Sequence, residues 1–223
     1  MTPANIAGMA AVLGLDVIAL TDHNSCRNCA PFLKMADAYG LLALPGMELT
    51  TAEDVHVVCL FPDLYAAMDF DTYVYERMFK IQNKEHVFGA QILYGDDDQI
   101  IGHEPNLLIS NASINFDEVF DLTEERGGIM IPAHIEKTSN SLISNLGFVP
   151  PDSRFLCAEL KDLSKLAELK SFNPYLNQCN IITNSDAHAL DQMNEPVHFL
   201  DVEGRSVSNV LRALKTLRTD IDR

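Results

Sequence analysis

Val17-Ile18-Ala19-Leu20-Thr21-Asp22-His23-Asn24 sets four apolar residues directly before a polar tetrad. A short continuous apolar run is what a buried strand looks like, and groups at its carboxyl end face the crevice where α/β proteins bind ligands. Far along the chain, Ile181-Ile182-Thr183-Asn184-Ser185-Asp186-Ala187-His188 repeats the arrangement. Between them lie Leu41–Leu44 followed by Pro45-Gly46-Met47-Glu48, and Ile129–Ile131 followed by Pro132-Ala133-His134. Two ends of one chain thus offer Asp and His side chains to a common place.

The surrounding pattern supplies the helices. Thr2-Pro3 is a capping hydroxyl followed by proline at the first helical position, and Ile6, Met9, Ala10 and Leu13 follow helical spacing up to Gly14. A second helix is predicted over 30–39, with Gly40 as terminator, and strands over 16–20, 41–44 and 55–61. The order helix, strand, helix, strand implies a parallel sheet with helices outside. From about 63 to 126 the pattern is less regular and reads as an insertion within a single domain spanning 1–223. It contains a predicted helix over 70–84 and a hairpin turning at Gly95-Asp96-Asp97-Asp98, whose aspartates read as a solvated turn because the EF-hand spacing is absent. A helix over 117–125, strands over 129–132, 155–160 and 180–183, and a closing amphipathic helix with Val207, Val210, Leu211 and Leu214 complete the chain.

Composition narrows the function. With 16 basic and 32 acidic residues, a net charge of −16 repels polyanions and leaves no basic stripe for phosphate backbones. Nucleic acid is therefore not an expected partner, short oligonucleotides excepted, whereas a small anionic substrate is admitted because bound metal ions invert the local field. The longest apolar stretches are too short for a bilayer and no leader pattern is read at the front, so a cytoplasmic protein without membrane contact is expected. The oligomeric state is not encoded in any motif. The five cysteines are an odd count and are expected as reduced thiols; Cys26-Arg27-Asn28-Cys29 has no second CxxC to complete a structural zinc site.

Each candidate ligand alone has a dull explanation, since a single His at a strand end is usually a hydrogen-bonded structural residue. Together His23, Glu48, His134, Asp186 and His188 form a borderline N/O donor set suited to Zn, Mn or Fe. Asp186 and His188 are two apart, so extended backbone would point both the same way, toward one metal or two neighbouring ones. Asp22 and His23 would point oppositely, with His23 the ligand and Asp22 an orienting partner. His56 lies on the strand face shared with Val58 and Leu60, either as a ligand or as a core histidine. His86, His103 and His198 sit in polar surroundings and read as surface residues.

Thr21-Asp22-His23-Asn24, Pro45-Gly46-Met47-Glu48, Pro132-Ala133-His134 and Ser185-Asp186-Ala187-His188 resemble the PHP (polymerase and histidinol phosphatase) superfamily, in the right order and over nearly the whole chain. The likeness is greatest to its small stand-alone bacterial metal-dependent phosphoesterases. It implies a distorted (β/α)7 TIM-like barrel holding two or three divalent ions, Zn, Mn or Fe, at the strands' carboxyl ends. It implies His23, Glu48, His134, Asp186 and His188 as ligands, with His56 matching a His-Val strand less closely. It departs at the front: such proteins begin with a strand carrying His-x-His, and nothing precedes Met1-Thr2-Pro3. That first strand and its ligands are missing, which favours a sequence that starts late and fewer ions if it does not. The function implied is hydrolysis of a small phosphate ester by a metal-activated water, with no protein nucleophile. Lys137 is a candidate phosphate contact or a solvated loop lysine. The alternative is a non-catalytic metal-binding or interaction module with an incomplete site.

Overall fold

The structure is a computed structural model that describes residues 1–217. In chain order the elements are α1 (Pro3–Leu13), β1 (Val17–Leu20), α2 (Cys29–Ala38), β2 (Leu42–Thr50), β3 (His56–Leu60), α3 (Leu64–Arg77), α4 (Glu85–Phe88), β4 (Ile92–Tyr94), β5 (Ile100–His103), α5 (Val119–Glu124), β6 (Ile129–Pro132), α6 (Leu142–Leu146), β7 (Cys157–Glu159), α7 (Leu166–Phe172), β8 (Asn180–Ile182) and α8 (Val207–Lys215). Thr2 caps α1 through its hydroxyl, and Gly14 closes it in the left-handed conformation.

The strands form a four-stranded sheet in the order β1-β2-β3-β6, a β4–β5 hairpin and a β7–β8 parallel pair. Among the described residues the β1–β2 and β7–β8 strand pairings are parallel, and β2–β3, β3–β6 and β4–β5 are antiparallel. The expectation of an all-parallel sheet is therefore corrected. Residues 51–55 between β2 and β3 are too few for a crossover helix, so β3 must return alongside its predecessor. The closed seven-stranded barrel is not formed either, since among the described residues no strand joins β8 to β1. Beyond β6 the chain touches β7 through Ile135 N donating to the Glu159 carbonyl at 3.0 Å. The architecture is mixed α/β with an open sheet.

Strand β2 runs on through Pro45-Gly46 rather than ending there. Its first half pairs with β1 and its second half with β3, so the proline stands where the strand changes partner. Phe61 N donates to the Pro45 carbonyl at 3.0 Å, and a Cβ on Gly46 would lie 2.7 Å from the Cys59 carbonyl oxygen. Only glycine permits that approach. The sheet is apolar on both sides. Ala7, Phe32, Met47, Val57, Cys59, Phe70 and neighbours pack on the face covered by α1–α3. Leu44, Leu60, Ile131 and Ile182 pack on the other, against Val210, Leu211 and Leu214 of α8.

In the 63–126 segment, α3 begins at Leu64, not near 70, because the Asp63 side chain accepts from Ala66 N at 2.9 Å and starts the helix. The Asp96–Asp98 turn does more than meet solvent. Asp98 accepts from Ala4 N at 2.9 Å and from the Thr2 hydroxyl, placing a carboxylate at the α1 N-terminus. Asp96 pairs with Lys34 of α2.

Candidate metal centre

The site forms where β1, β2, β3 and β6 and the segment after β8 come together at one end of the sheet. Glu48 lies in β2 on the same face as Leu44 and Gly46, opposite Val58 in register. His56 is two residues before Val58 on β3, so it is Glu48's diagonal neighbour on that face. Because β3 is antiparallel, its first residue, not its last, reaches the site. His134 follows β6, where Ala133 N donates to the His56 carbonyl at 3.0 Å. His23 follows β1 and forms an isolated parallel bridge with Glu48. Asp186 and His188 come from the segment after β8.

Three imidazoles converge on one carboxylate. Glu48 Oε1 is 2.8 Å from His56 Nδ1 and 3.3 Å from His134 Nε2, while its Oε2 is 3.6 Å from His23 Nδ1. The His23 ring lies 5.2 Å from that of His56 and 5.7 Å from that of His188, centroid to centroid. Potential ligand atoms fall into two groups, His23/Glu48/His56 and Glu48/His134/Asp186, with the atoms in each within 4.8 Å of one another. Glu48 belongs to both. His56 thus joins the set and is not an isolated core histidine.

The backbone is constrained at these positions. His134 has φ +33° and Asp186 φ +51°, a region that non-glycine residues seldom adopt and that concentrates at functional sites. At Asp186 this corrects the extended backbone expected there. His188 nevertheless stays close, its Nδ1 lying 3.0 Å from the Asp186 carbonyl oxygen and 3.8 Å from Asp186 Oδ1. Lys137 is not merely a solvated lysine, since its Nζ is 2.8 Å from Asp186 Oδ2. Asp22 accepts from Asn28 Nδ2 at 3.1 Å, so its carboxylate is engaged with that amide. Burial raises the Asp22 carboxyl, and the Asn28 hydrogen bond opposes this.

Electrostatics follow from burial and pairing. Burial alone would raise the Glu48 carboxyl, but hydrogen bonds with His134 and His56, joined at low pH by the charge of protonated His23, outweigh it and hold it well below the usual carboxylate range. Burial pushes the His23 imidazole down, against the Glu48 charge, and so favours its neutral form, the form that binds metal. Nδ1 of His23 and of His134 is buried without a hydrogen-bond partner among the described residues. Buried polar atoms are nearly always paired, so these orphans and the N/O donor set fit a divalent cation.

The structure also gives roles to Glu159, Asn184 and Asn24, none of which the sequence marked as functional. Glu159, the last residue of β7, is buried, and its Oε2 accepts from Asn184 Nδ2 at 2.7 Å. Burial raises its carboxyl, the Asn184 bond opposing. An acid inside the run Phe155–Leu160 was the available signal. The pair ties the segment carrying Asp186 and His188 to β7. Asn24, in the left-handed region at φ +47°, accepts from Thr50 N at 2.9 Å and donates to the Leu108 and Ser110 carbonyls at 2.8 and 2.7 Å. It fastens the 63–126 segment beside His23. A groove of about 270 Å³ opens there, walled by that segment and by Asp22, His23 and Asn28. Cys26 and Cys29 are buried behind the site, each with its thiol directed at the Gly46 carbonyl, at 3.2 and 3.6 Å.

The fold is mixed α/β, and its donor set is that of a candidate divalent-metal centre. No family model and no curated protein matches the chain. Among solved structures, the lesion-specific endonuclease PfuEndoQ from Pyrococcus furiosus superposes with a TM-score of 0.65 at 17% identity, over 96% of this chain and 51% of its own. An Endonuclease Q complex with a 27-mer duplex substrate carrying an abasic lesion at the active site gives 0.60 at 17%, over 96% and 52%. An amidohydrolase from Chromobacterium violaceum with bound sulfate and no metal gives 0.60 at 18%, over 100% of this chain and 95% of its own. The chain spans about half the length of the endonuclease chains it matches. At such identities these likenesses show the fold. Among the described residues no helix is long and apolar enough to cross a membrane.

Proposed function

We propose that this chain is a metal-dependent hydrolase of phosphoric esters, with His23, Glu48, His56, His134, Asp186 and His188 as the metal-binding residues. The single observation that carries this is Glu48, whose carboxylate belongs to both groups of converging donors. His23, Glu48 and His56 would hold one divalent ion, and Glu48, His134 and Asp186 a second, with Zn, Mn and Fe suited to these donors. Such ions, when bound, polarise a phosphoryl oxygen and lower the pKa of water enough for attack near neutral pH. The names of the neighbours, two endonuclease structures and an amidohydrolase, support a hydrolytic reaction; the duplex substrate that one of them names belongs to that protein.

The chain's own residues do the positioning. The depressed Glu48 carboxyl stays ionised throughout the working range, so the site's central negative charge is permanent. Asn184 and Glu159 hold the Asp186–His188 segment against β7. Lys137, beside Asp186, offers an ammonium to a non-transferred phosphate oxygen and is the chain's phosphate-orienting group in this proposal. A net charge of −16 favours a small ester over a nucleic-acid backbone.

The test is hydrolysis of p-nitrophenyl phosphate and of a short oligonucleotide by protein loaded with Zn, Mn or Fe. Turnover of the small ester, abolished by Glu48→Gln, is expected. Two tightly bound ions without turnover of either substrate would refute the hydrolase and point to a metal-binding module. Turnover of the oligonucleotide alone would move the substrate to nucleic acid.

A further inference from the structure

Resting on the hydrolase reading, we infer that the groove beside His23 receives an uncharged, apolar leaving group, which makes the substrate a monophosphate ester of a hydrophobic alcohol. The groove shares His23 with the metal-binding set, so a phosphoryl group at that set would extend its ester oxygen toward the groove. Its walls carry Phe88, Ile92, Leu93, Leu107, Leu108 and Ile109. Phe88 and Ile109 are about half exposed and project from the 63–126 segment.

The Gln91, Asn28 and Glu104 side chains in the wall are already engaged, largely by backbone groups. The Gln91 amide donates to the Glu104 and Asn106 carbonyls at 3.0 and 2.7 Å and accepts from Leu108 N at 2.7 Å. The Asn28 amide donates to Asp22 and to the Ile92 carbonyl and accepts from Tyr94 N. Glu104 accepts from the Tyr75 hydroxyl at 3.2 Å and Asn106 N at 2.8 Å, and pairs with Arg27. These three groups therefore frame the groove with their donors already used, and the Ser25 hydroxyl and the His23 ring are the polar side chains left at its His23 end.

Charge excludes a second anion. Among the described residues no lysine or arginine lines the groove, whereas Asp22 and Glu104 do. Arg27, behind the wall, is bound between Asp71 and Glu104 and stacked on Tyr75, its guanidinium carbon 4.1 Å from the ring centre. A nucleotide chain or a diphosphate would meet the Asp22 carboxylate, while Arg27 is already committed to Asp71 and Glu104. Size sets the upper limit. A cavity of about 150 Å³ holds benzene, so the groove's volume of about 270 Å³ suits a bicyclic ring or a branched aliphatic group.

The experiment compares 2-(1-naphthyl)ethyl phosphate with ethyl phosphate, whose alcohols differ little in acidity, on metal-loaded protein. In parallel, binding of 2-(1-naphthyl)ethanol is followed by naphthyl fluorescence, unobscured because the chain has no tryptophan. We expect kcat/KM to favour the naphthyl ester by about 100-fold, in line with a small apolar group in a hydrophobic pocket. The alcohol should bind saturably. Ile109→Asp, a change at a half-exposed position, should reduce both the preference and the alcohol's affinity by about tenfold. Phe88→Ala should reduce them in the same direction. Equal kcat/KM for the two esters overturns the groove assignment and spares the hydrolase. Alcohol binding that neither variant changes overturns it as well. Saturable, variant-sensitive alcohol binding with neither ester hydrolysed keeps the apolar groove and refutes the hydrolase.

Discussion

Glu48→Gln is the substitution that tests most of this account at once. The amide has the shape of the carboxylate and keeps an oxygen donor, so packing around the buried side chain is preserved while its charge is lost. Three imidazole nitrogens lie 2.8, 3.3 and 3.6 Å from the Glu48 oxygens, and both donor groups include this residue. At an effective dielectric of about 20, opposite unit charges about 4 Å apart attract by about 4 kcal/mol, and a dication doubles that. If the amide oxygen recovers half, about 4 kcal/mol is lost for each ion, or about a thousandfold in affinity. The assay is calorimetric titration with Mn and Zn, beside circular dichroism of the metal-free variant to establish that it is folded. The expected result is a folded protein that no longer retains metal on desalting. A folded Gln variant that binds as many ions as the wild type, with affinity within tenfold, refutes the shared-carboxylate geometry.

Three further outcomes follow from the same structure. Asn184→Ala leaves the buried Glu159 carboxyl without its partner and frees the Asp186–His188 segment, so kcat/KM should fall about 10- to 100-fold, as when a group supporting a metal ligand is removed; unchanged kinetics would remove Asn184 from the site. Lys137→Ala takes away the ammonium beside Asp186, so metal affinity should hold or rise while KM for the phosphate ester increases about tenfold; a matching loss of metal affinity would show that the lysine builds the site instead of meeting substrate. Burial pushes the Cys179 thiol up to about 12 and those of Cys26 and Cys59 higher than their ordinary value. The folded state then holds these protons longer than the unfolded one, so their stabilising effect is complete below about pH 8.5 and is lost as pH rises toward the folded values, by about 1.4 kcal/mol per thiol per pH unit. Thermal melts in reductant should show Tm falling between pH 8 and 10, with a shallower fall in Cys179→Ala; parallel slopes for wild type and variant would contradict it.

Much of the site was legible because polar residues placed just after apolar runs are conspicuous. His23, Glu48, His134, Asp186 and His188 all stand out this way, and the structure brings all five together. What pattern reading cannot supply is strand direction. The short 51–55 connection reverses β3, which is why His56 enters the site from the start of a strand and why the sheet departs from an all-parallel barrel. Glu159 was hidden by its apolar neighbours, and Asn184 by its ordinariness, since only the fold reveals that they meet. The hairpin at Gly95–Asp98 was plain from its turn residues, but the capping of α1 by Asp98, across more than ninety residues, is a tertiary fact.

The central claim is that one carboxylate serves two cation positions. Anomalous diffraction from crystals soaked in Mn tests it most directly. The account predicts two peaks flanking Glu48, one among His23, Glu48 and His56 and the other among Glu48, His134 and Asp186. Full-occupancy soaks in which Glu48 contacts no ion, or only one, would contradict it.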